Sequence, residues 1–569
     1  MKVFDFNHYY LHSEITELLE TLHQEHPELI GFENICTTLE GREMWAATIT
    51  NFNTGDALSK PAYYVDGNHH AGEVTGSMAV LKFIHKLVTG YGVDSNITNL
   101  LDTTTVYAIP RLSPDGAECY LTSFEKMRSV NRPYPFEKPA PGLHPKDMDG
   151  DGVIRLMRIK CDDGAWKPMP KDPRVMIKRQ PADFGGTYYN VYPEGYIEDF
   201  DGVHIQPAEG KWNLDFNRNY PLGWFPEVRQ PGAGKYPLSN PENKAVADFV
   251  ISHPNICSGV TFHTSGGCYI YPPGTKPSKD AFAKDMKMFK EIGAMATEET
   301  GYECFNIFDG FLTDTVNYSS GAFDDWMYQA QGIPTYTAEL WDVLKRAGVP
   351  DVYPRTEPIT DMEAAERMYQ VYKWIDANVQ ATEDWIPNKE WTEFEHPQLG
   401  KIEIGSIDYK YTWQNCPPGF LEAEVEKNAN FCVRMAMTVP RIKVDSIEAT
   451  QVGTNGDENI YQVNVTVANV GYMPTYVCQE AKRLKVDKSL VLKLCTEGTL
   501  LMGDAVSEIG HLEGFSGINT FYNYDNIITA EHDPTKKVFT YMLSAKAGSE
   551  ICATLSNDKS GISCKTVVL

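Results

Sequence analysis

His70 and Glu73 stand at HxxE spacing in PAYYVDGNHHAGEVTG, Pro61 to Gly76, directly after a short apolar run. A neutral imidazole nitrogen and a carboxylate oxygen are both good zinc ligands, and two histidines plus one glutamate with an open fourth position make a catalytic rather than a structural site. His263, after GVTF, could supply the second imidazole, and Glu339, after TYTA, a further carboxylate. A second acidic constellation lies in DMDGDG, where Asp147, Asp149 and Asp151 take positions 1, 3 and 5 of a calcium loop with Gly152 at the turn. Position 12 of that pattern is Arg158 instead of glutamate, so calcium and a plain acidic turn are both open readings.

These residues have to be positioned by elements the chain can form. Tyr63 to Val65 read as a short apolar strand ending at Asp66 and Gly67, and a helix is expected over Gly76 to Leu87. Thr104 to Ile109 is a second strand, ending in RLSPDG, a turn by composition. Gly259 to Phe262 is a third and delivers His263; Thr335 to Ala338 is a fourth and presents Glu339. Three of the four strands thus finish on a metal-type ligand or a carboxylate, at the strand ends where open α/β sheets place their ligands. EITELLETL, Glu14 to Leu22, carries Ile15, Leu18, Leu19 and Leu22 on one helical stripe.

The 569 residues exceed one hydrophobic core, and 42% hydrophobic with 12% aromatic residues is the profile of a folded chain. A net charge of -26 argues against nucleic acid as a partner. The twelve cysteines form no CxxC pair or dense cluster, so buried free thiols are expected. No run approaches the length of a membrane span, so no membrane partner is expected, and Met1 leads into a helical pattern instead of a charged n-region and apolar h-region, from which a cytoplasmic location is expected.

GNHHAGE, SPDG, MRSVNR, DFNRNY, HTSGG and YTAEL follow one another in the order of the signatures of the zinc carboxypeptidase family, and the chain resembles that family over roughly Phe4 to Gln398. The resemblance implies an α/β fold with a mixed central sheet flanked by helices. It makes His70, Glu73 and His263 the ligands of one zinc per chain, with His69, one residue earlier, pointing elsewhere. It gives Glu339 the part of general base, moving a proton from water to the departing amine, and Arg128 that of the cation at the carbonyl oxygen, with Arg132 in reserve. Asn217 and Arg218 correspond to the pair that holds the substrate's terminal carboxylate, which a planar guanidinium suits.

The chain also departs from that pattern. Asn317 stands where the family has a substrate-covering tyrosine, and Tyr318 is displaced by one, so either Tyr318 serves or the contact is absent. Asp324 takes the place where members selecting basic C-terminal residues have an aspartate, with Asp325 beside it; a weak basic preference is expected. An irregular insertion runs from about Pro133 to Trp212. The expected division is a catalytic domain over 1–400, a linker region over 401–435, with Glu422 to Asn428 as a joining helix, and a β-sandwich over 436–569. The leading reading is a zinc metallocarboxypeptidase acting on peptides. A zinc amidase acting on peptidoglycan stem peptides or polyglutamate, and an inactive scaffold with a binding role, are the alternatives. Oligomeric state is not legible.

Overall fold

Tyr63, Tyr64 and Val65 are wholly buried, because the strand that carries them runs down the middle of an eight-stranded sheet. Its strands are β1 (Ile30–Thr37), β2 (Glu43–Ile49), β3 (Ala62–Gly67), β4 (Thr105–Ile109), β5 (Ile256–Thr264), β6 (Cys268–Tyr271), β7 (Glu303–Asn306) and β8 (Thr335–Leu340). They lie in the order β1-β2-β4-β3-β5-β8-β6-β7. The central four are mutually parallel and buried along nearly their whole length, as a sheet covered on both faces requires. The computed structural model describes residues 3–138, 140–349, 353, 359–518, 520–522, 528–530 and 533–569.

Helices cover both faces. His12–Glu25 buries Ile15, Leu18, Leu19 and Leu22, the stripe its spacing predicts. Val74–Gly90 lies against β3 and β5, and the approach is close enough that only glycine fits. A Cβ on Gly67 would come within 2.7 Å of the Gly76 backbone, and one on Gly76 within 2.8 Å of the Phe262 carbonyl oxygen. The loop between β3 and this helix, with the HxxE pair, is therefore pinned at both ends. SPDG is not a turn but the start of the helix Pro114–Thr122, with Pro114 at its first position, where the missing N–H costs nothing.

The insertion does not hang off this body. Leu156–Lys160, Trp166–Pro168, Met176–Lys178 and Tyr189–Pro193 join Asn388–His396 and Gly400–Ile407 in a six-stranded sheet. The expected linker over 401–435 is corrected here. Its first part is an inner strand of that sheet, and Leu421–Ala436 is a 16-residue helix whose Leu421, Val425, Ala429, Phe431 and Cys432 belong to the same core as Tyr63, Val65 and Tyr336. Tyr269 Oη donates to Asn428 Oδ1 at 2.7 Å, tying that helix to the central sheet.

After Ile442 the chain forms an antiparallel β-sandwich of two four-stranded sheets around their own core, with Val463, Val465 and Leu543 facing Leu492, Ile551 and Leu555. The sandwich meets the body built on the central sheet at the start of β5, away from its His263 end: Lys559 Nζ bonds the Ile256 carbonyl oxygen, and Cys257 Sγ donates to the Lys559 carbonyl oxygen at 2.8 Å. Of the twelve cysteines, only Cys257, Cys268, Cys416, Cys432 and Cys478 are buried. Cys495 and Cys564 are exposed on the sandwich, where the alternation of a surface strand turns every second residue outward.

Candidate active site

Parallel pairing of β5 with β8 sets His263 and Glu339 in register as neighbours across the ladder, and β3 ends beside Phe262, so the loop after it opens over the same place. Asn68 turns the chain with a positive φ of 68°, which asparagine tolerates, and its Nδ2 donates to the carbonyl oxygens of His70 and Ala71 at 2.6 and 3.2 Å. The Ala71 N–H donates to the Arg128 carbonyl oxygen at 2.7 Å. Glu73 stands at the residue before the helix Val74–Gly90, whose N-terminal partial charge favours a carboxylate.

Three donor atoms converge as a result. His70 Nδ1 lies 2.8 Å from Glu73 Oε1, His263 Nδ1 lies 2.8 Å from Glu73 Oε2, and the two Nδ1 atoms are 3.1 Å apart. All three residues are buried. The other face of the His70 ring meets Asp215, with Nε2 3.0 Å from Oδ1. A neutral His70 therefore carries its hydrogen on Nε2 and turns the Nδ1 lone pair towards a carboxylate. Lone pairs aimed at one another across 2.8–3.1 Å in a buried place are repulsive unless a cation stands among them. Two imidazole nitrogens and one carboxylate match zinc, and a carboxylate behind a ligating imidazole is the usual support for it.

Burial tends to raise the Glu73 carboxyl, yet positive charge placed among the donors, such as a proton on His70 or His263 shared with it, holds it below the ordinary carboxylate range. Asp215 is likewise held well below it against burial, chiefly by Arg128 and His70. Glu339 moves the other way: burial first, then the charge of Glu73, push it well above the ordinary value, against the pull of Arg128. Two carboxyls of one site are thus driven apart, one fixed as an anion and one ready to carry a proton.

One cavity of about 250 Å³ is lined by His70, Glu73, His263, Glu339, Arg128, Asn217, Arg218 and Asp324 together. Arg128 donates from Nε to Asp215 Oδ2 at 2.8 Å, and its Nη1 lies 3.6 Å from Glu73 Oε1. Asn217 Oδ1 accepts the Phe323 N–H at 2.8 Å, and Arg218 Nη1 donates to the Asn217 carbonyl oxygen at 2.7 Å. Asp324 accepts from Thr337 Oγ1 at 2.6 Å and from the Asp325 N–H at 2.8 Å; burial raises its pKa, and burial with the Asp324 charge pushes Asp325 up to about 7.

Other expectations fall elsewhere. Tyr318 is half-buried with its ring against Phe225, 6.2 Å between centroids, and does not line the cavity, although Ser319 does. Arg132 pairs with Glu242 at 2.7 Å. His69 is buried and bonds Tyr220 and Thr261. Asp147, Asp149 and Asp151 do lie together, but calcium there is not supported: Lys389 Nζ sits 2.6 and 2.8 Å from Asp149 and Asp151, and Arg155 Nε 2.8 Å from Asp151, so an ammonium and a guanidinium already offset two of the three carboxylates. Arg158, at the twelfth position, pairs with Glu403.

Two features of the site escape sequence reading. Asp215 stands first in DFNRNY, and that motif was the available signal for it. Asn415 fastens the HxxE loop from 340 residues away: its Oδ1 accepts from the Thr75 N–H at 3.0 Å and from Thr75 Oγ1 at 2.9 Å, and its Nδ2 donates to the Gly72 carbonyl oxygen at 2.7 Å. No local spacing signals that.

Residues 15–161 and 174–351, more than half of the chain, match the family described as zinc carboxypeptidase, and residues 441–568 match a domain of unknown function, DUF8731. Carboxypeptidase A2 of Rattus norvegicus is 23% identical over 339 residues, which cover 60% of this chain and 64% of the relative. Carboxypeptidase A1 of Mus musculus is 24% identical over 352 residues, with 60% and 64% covered. The chain therefore spans about 64% of the length of these curated relatives. Among solved structures, thrombin activatable fibrinolysis inhibitor is similar over 66% of this chain and 76% of its own, at 19% identity and a TM-score of 0.40. With the family match covering its HxxE loop, its DFNRNY segment and the strands bearing His263 and Glu339, the chain belongs to the zinc carboxypeptidase family.

Proposed function

We propose that this chain is a zinc metallocarboxypeptidase that removes single residues from the C-termini of peptides, with a preference for lysine or arginine. The observation that carries the reading is one cavity lined by the His70, Glu73 and His263 donors, by Glu339 and by Arg128, Asn217 and Arg218. Family membership implies zinc as the cofactor. His70, Glu73 and His263 would hold one ion, and zinc supplies Lewis acidity and a more acidic water when bound.

The chain's own groups divide the remaining work. Arg218 and Asn217 hold the substrate's terminal carboxylate, which makes the enzyme an exopeptidase. Arg128, held by Asp215, places its guanidinium where negative charge develops on the scissile carbonyl oxygen. Glu339 takes a proton from the attacking water and delivers it to the departing amine; its raised pKa suits a group that must hold that proton between the two steps. Asp324 and Asp325 both line the cavity, and a substrate ammonium or guanidinium would supply the countercharge their burial denies them. The same acids repel a glutamate side chain, which disfavours polyglutamate.

The test is a panel of acylated dipeptides differing in the C-terminal residue, hydrolysed with and without a zinc chelator. Chelator-sensitive release of Lys or Arg is expected. Release of Glu in preference to Lys would overturn the specificity, and hydrolysis of every substrate untouched by chelation would overturn the metal reading.

A further inference from the structure

Cys552 and Cys564, on the two strands of one hairpin of the sandwich, hold their sulfurs 2.9 Å from one another. The strands are Glu550–Asn557 and Gly561–Val568, and the pair is diagonal, since Cys552 stands opposite Thr566 and Cys564 opposite Thr554. A third thiol joins them. Cys495, on Val491–Thr496, is the register partner of Cys552 across the next ladder. Ile551, Ala553 and Leu555 alternate with Cys552 and Thr554 and fill the sandwich core, so the thiols lie on the outer face, Cys552 half-buried and the other two exposed. The core closes on aliphatic and aromatic side chains without them.

The two sulfurs are not equivalent. The hydrogen bond from Cys564, and then that from the Thr566 hydroxyl, hold the Cys552 thiol below its ordinary value, while the same contact raises Cys564. Thr554 Oγ1 donates to Cys564 Sγ at 3.6 Å. Attack on sulfur needs a thiolate within reach of solvent, and Cys552 is the member of the pair placed to become one. The hairpin that carries both also seats the sandwich on the rest of the chain. Its turn bears Lys559, which bonds the start of β5, and a Cβ on Gly561 would come within 3.0 Å of Pro61 Cδ, directly before β3.

We propose that Cys552 and Cys564 are a thiol–disulfide exchange site: Cys552 opens a small-molecule disulfide of the glutathione class, Cys564 resolves the adduct, and the product is a reversible staple across the hairpin that seats the sandwich. Cys552 gives up its proton, and its sulfur attacks one sulfur of the small disulfide. That S–S bond breaks, one half leaves as a thiolate and takes up the proton, and a mixed disulfide stands on Cys552. The Cys564 sulfur, already beside it, then attacks the Cys552 sulfur as its own proton leaves. The protein S–S bond forms, the mixed one breaks, and the second half departs as a thiol. The two protein thiols have lost two electrons and two protons, and the small disulfide has gained them.

The experiment incubates the whole chain, zinc-loaded and freed of reductant, with oxidised glutathione, and reads intact mass, peptide maps and urea unfolding. The parent is expected to become lighter by two hydrogens, with Cys552 joined to Cys564, and to return to its starting mass with excess reduced glutathione. Cys564→Ser is expected to stop with one glutathione on Cys552, a trapped adduct that a merely structural pair would not give. Cys495→Ser should react as the parent does, and Cys552→Ser should yield no internal link. The urea midpoint of the oxidised parent should exceed that of the reduced one, and the difference should vanish in Cys564→Ser. A link from Cys552 to Cys495, glutathione spread over Cys119, Cys161 and Cys495 as readily as over Cys552, or a parent left unoxidised would overturn the inference. A midpoint indifferent to oxidation would overturn the staple, and uptake of a second zinc abolished by Cys552→Ser would make the cluster a metal site instead.

Discussion

His263 and Glu339 are ladder partners on adjacent parallel strands, so two side chains 76 positions apart in the chain are held side by side by backbone hydrogen bonds rather than by a flexible loop. A carboxyl fixed in this way can be replaced without disturbing its neighbours, and in the proposed reaction it is the base. Glu339→Gln is expected to lower kcat by about a thousandfold while the zinc content of the protein stays that of the parent, read by steady-state kinetics beside metal analysis. Loss of zinc in that variant would mean that Glu339 is a ligand and not the base.

Asp215 bridges the His70 imidazole and the Arg128 guanidinium through its two oxygens, and Oδ1 also accepts the Asn217 N–H at 2.8 Å. Asp215→Asn can offer an N–H where His70 needs an acceptor, which turns the imidazole to the wrong tautomer. Zinc affinity is expected to fall by about ten- to a hundredfold, measured by competition with a chromophoric chelator. Unchanged affinity would show that His70 is oriented by something else.

Removing Asn415 strands the Thr75 N–H and the Gly72 carbonyl oxygen in a buried place. Asn415→Ala is expected to cost about 3 kcal/mol in chemical denaturation and to weaken zinc binding as well, since the loop it fastens carries Glu73. Asn415→Asp keeps the acceptor and should fall between the two. A stability loss with zinc affinity intact would separate the fastening from the site.

Glu194 is fully buried in the insertion and accepts the N–H groups of Met148 and Arg155, yet burial pushes it up to about 7 from an ordinary 4.5. A carboxyl whose folded value is raised contributes stability that is fully present below its unfolded value and is lost as pH rises through the folded one. The parent should therefore lose of the order of 3 kcal/mol relative to Glu194→Gln between about pH 4.5 and 7, read from urea midpoints at each pH. A difference that does not change with pH, or changes in the opposite sense, would contradict it.

How far the site was legible follows from what each part depends on. His70 with Glu73 is a local spacing, and His263 and Glu339 are strand ends, so all four stand out in the sequence. Asp215 meets His70 from 145 residues away and Lys389 meets Asp149 from 240, and no spacing encodes such meetings. That is why the acidic loop looked free for calcium. The stretch over 401–435 looked like a connection because Glu422, Glu424, Glu426 and Lys427 dilute the apolar residues, whose burial is set by packing on the central sheet. The sandwich was legible because its inner strands alternate; Ile551, Ala553 and Leu555 face inward along Glu550–Asn557.

The account turns on three donors sharing one ion, and native mass spectrometry of the intact chain measures that directly. The parent is expected to carry one zinc, and His70→Ala, Glu73→Ala and His263→Ala, folded and at the same free zinc, are each expected to carry none. A parent that takes up no zinc, or ligand variants that keep it, would contradict the account.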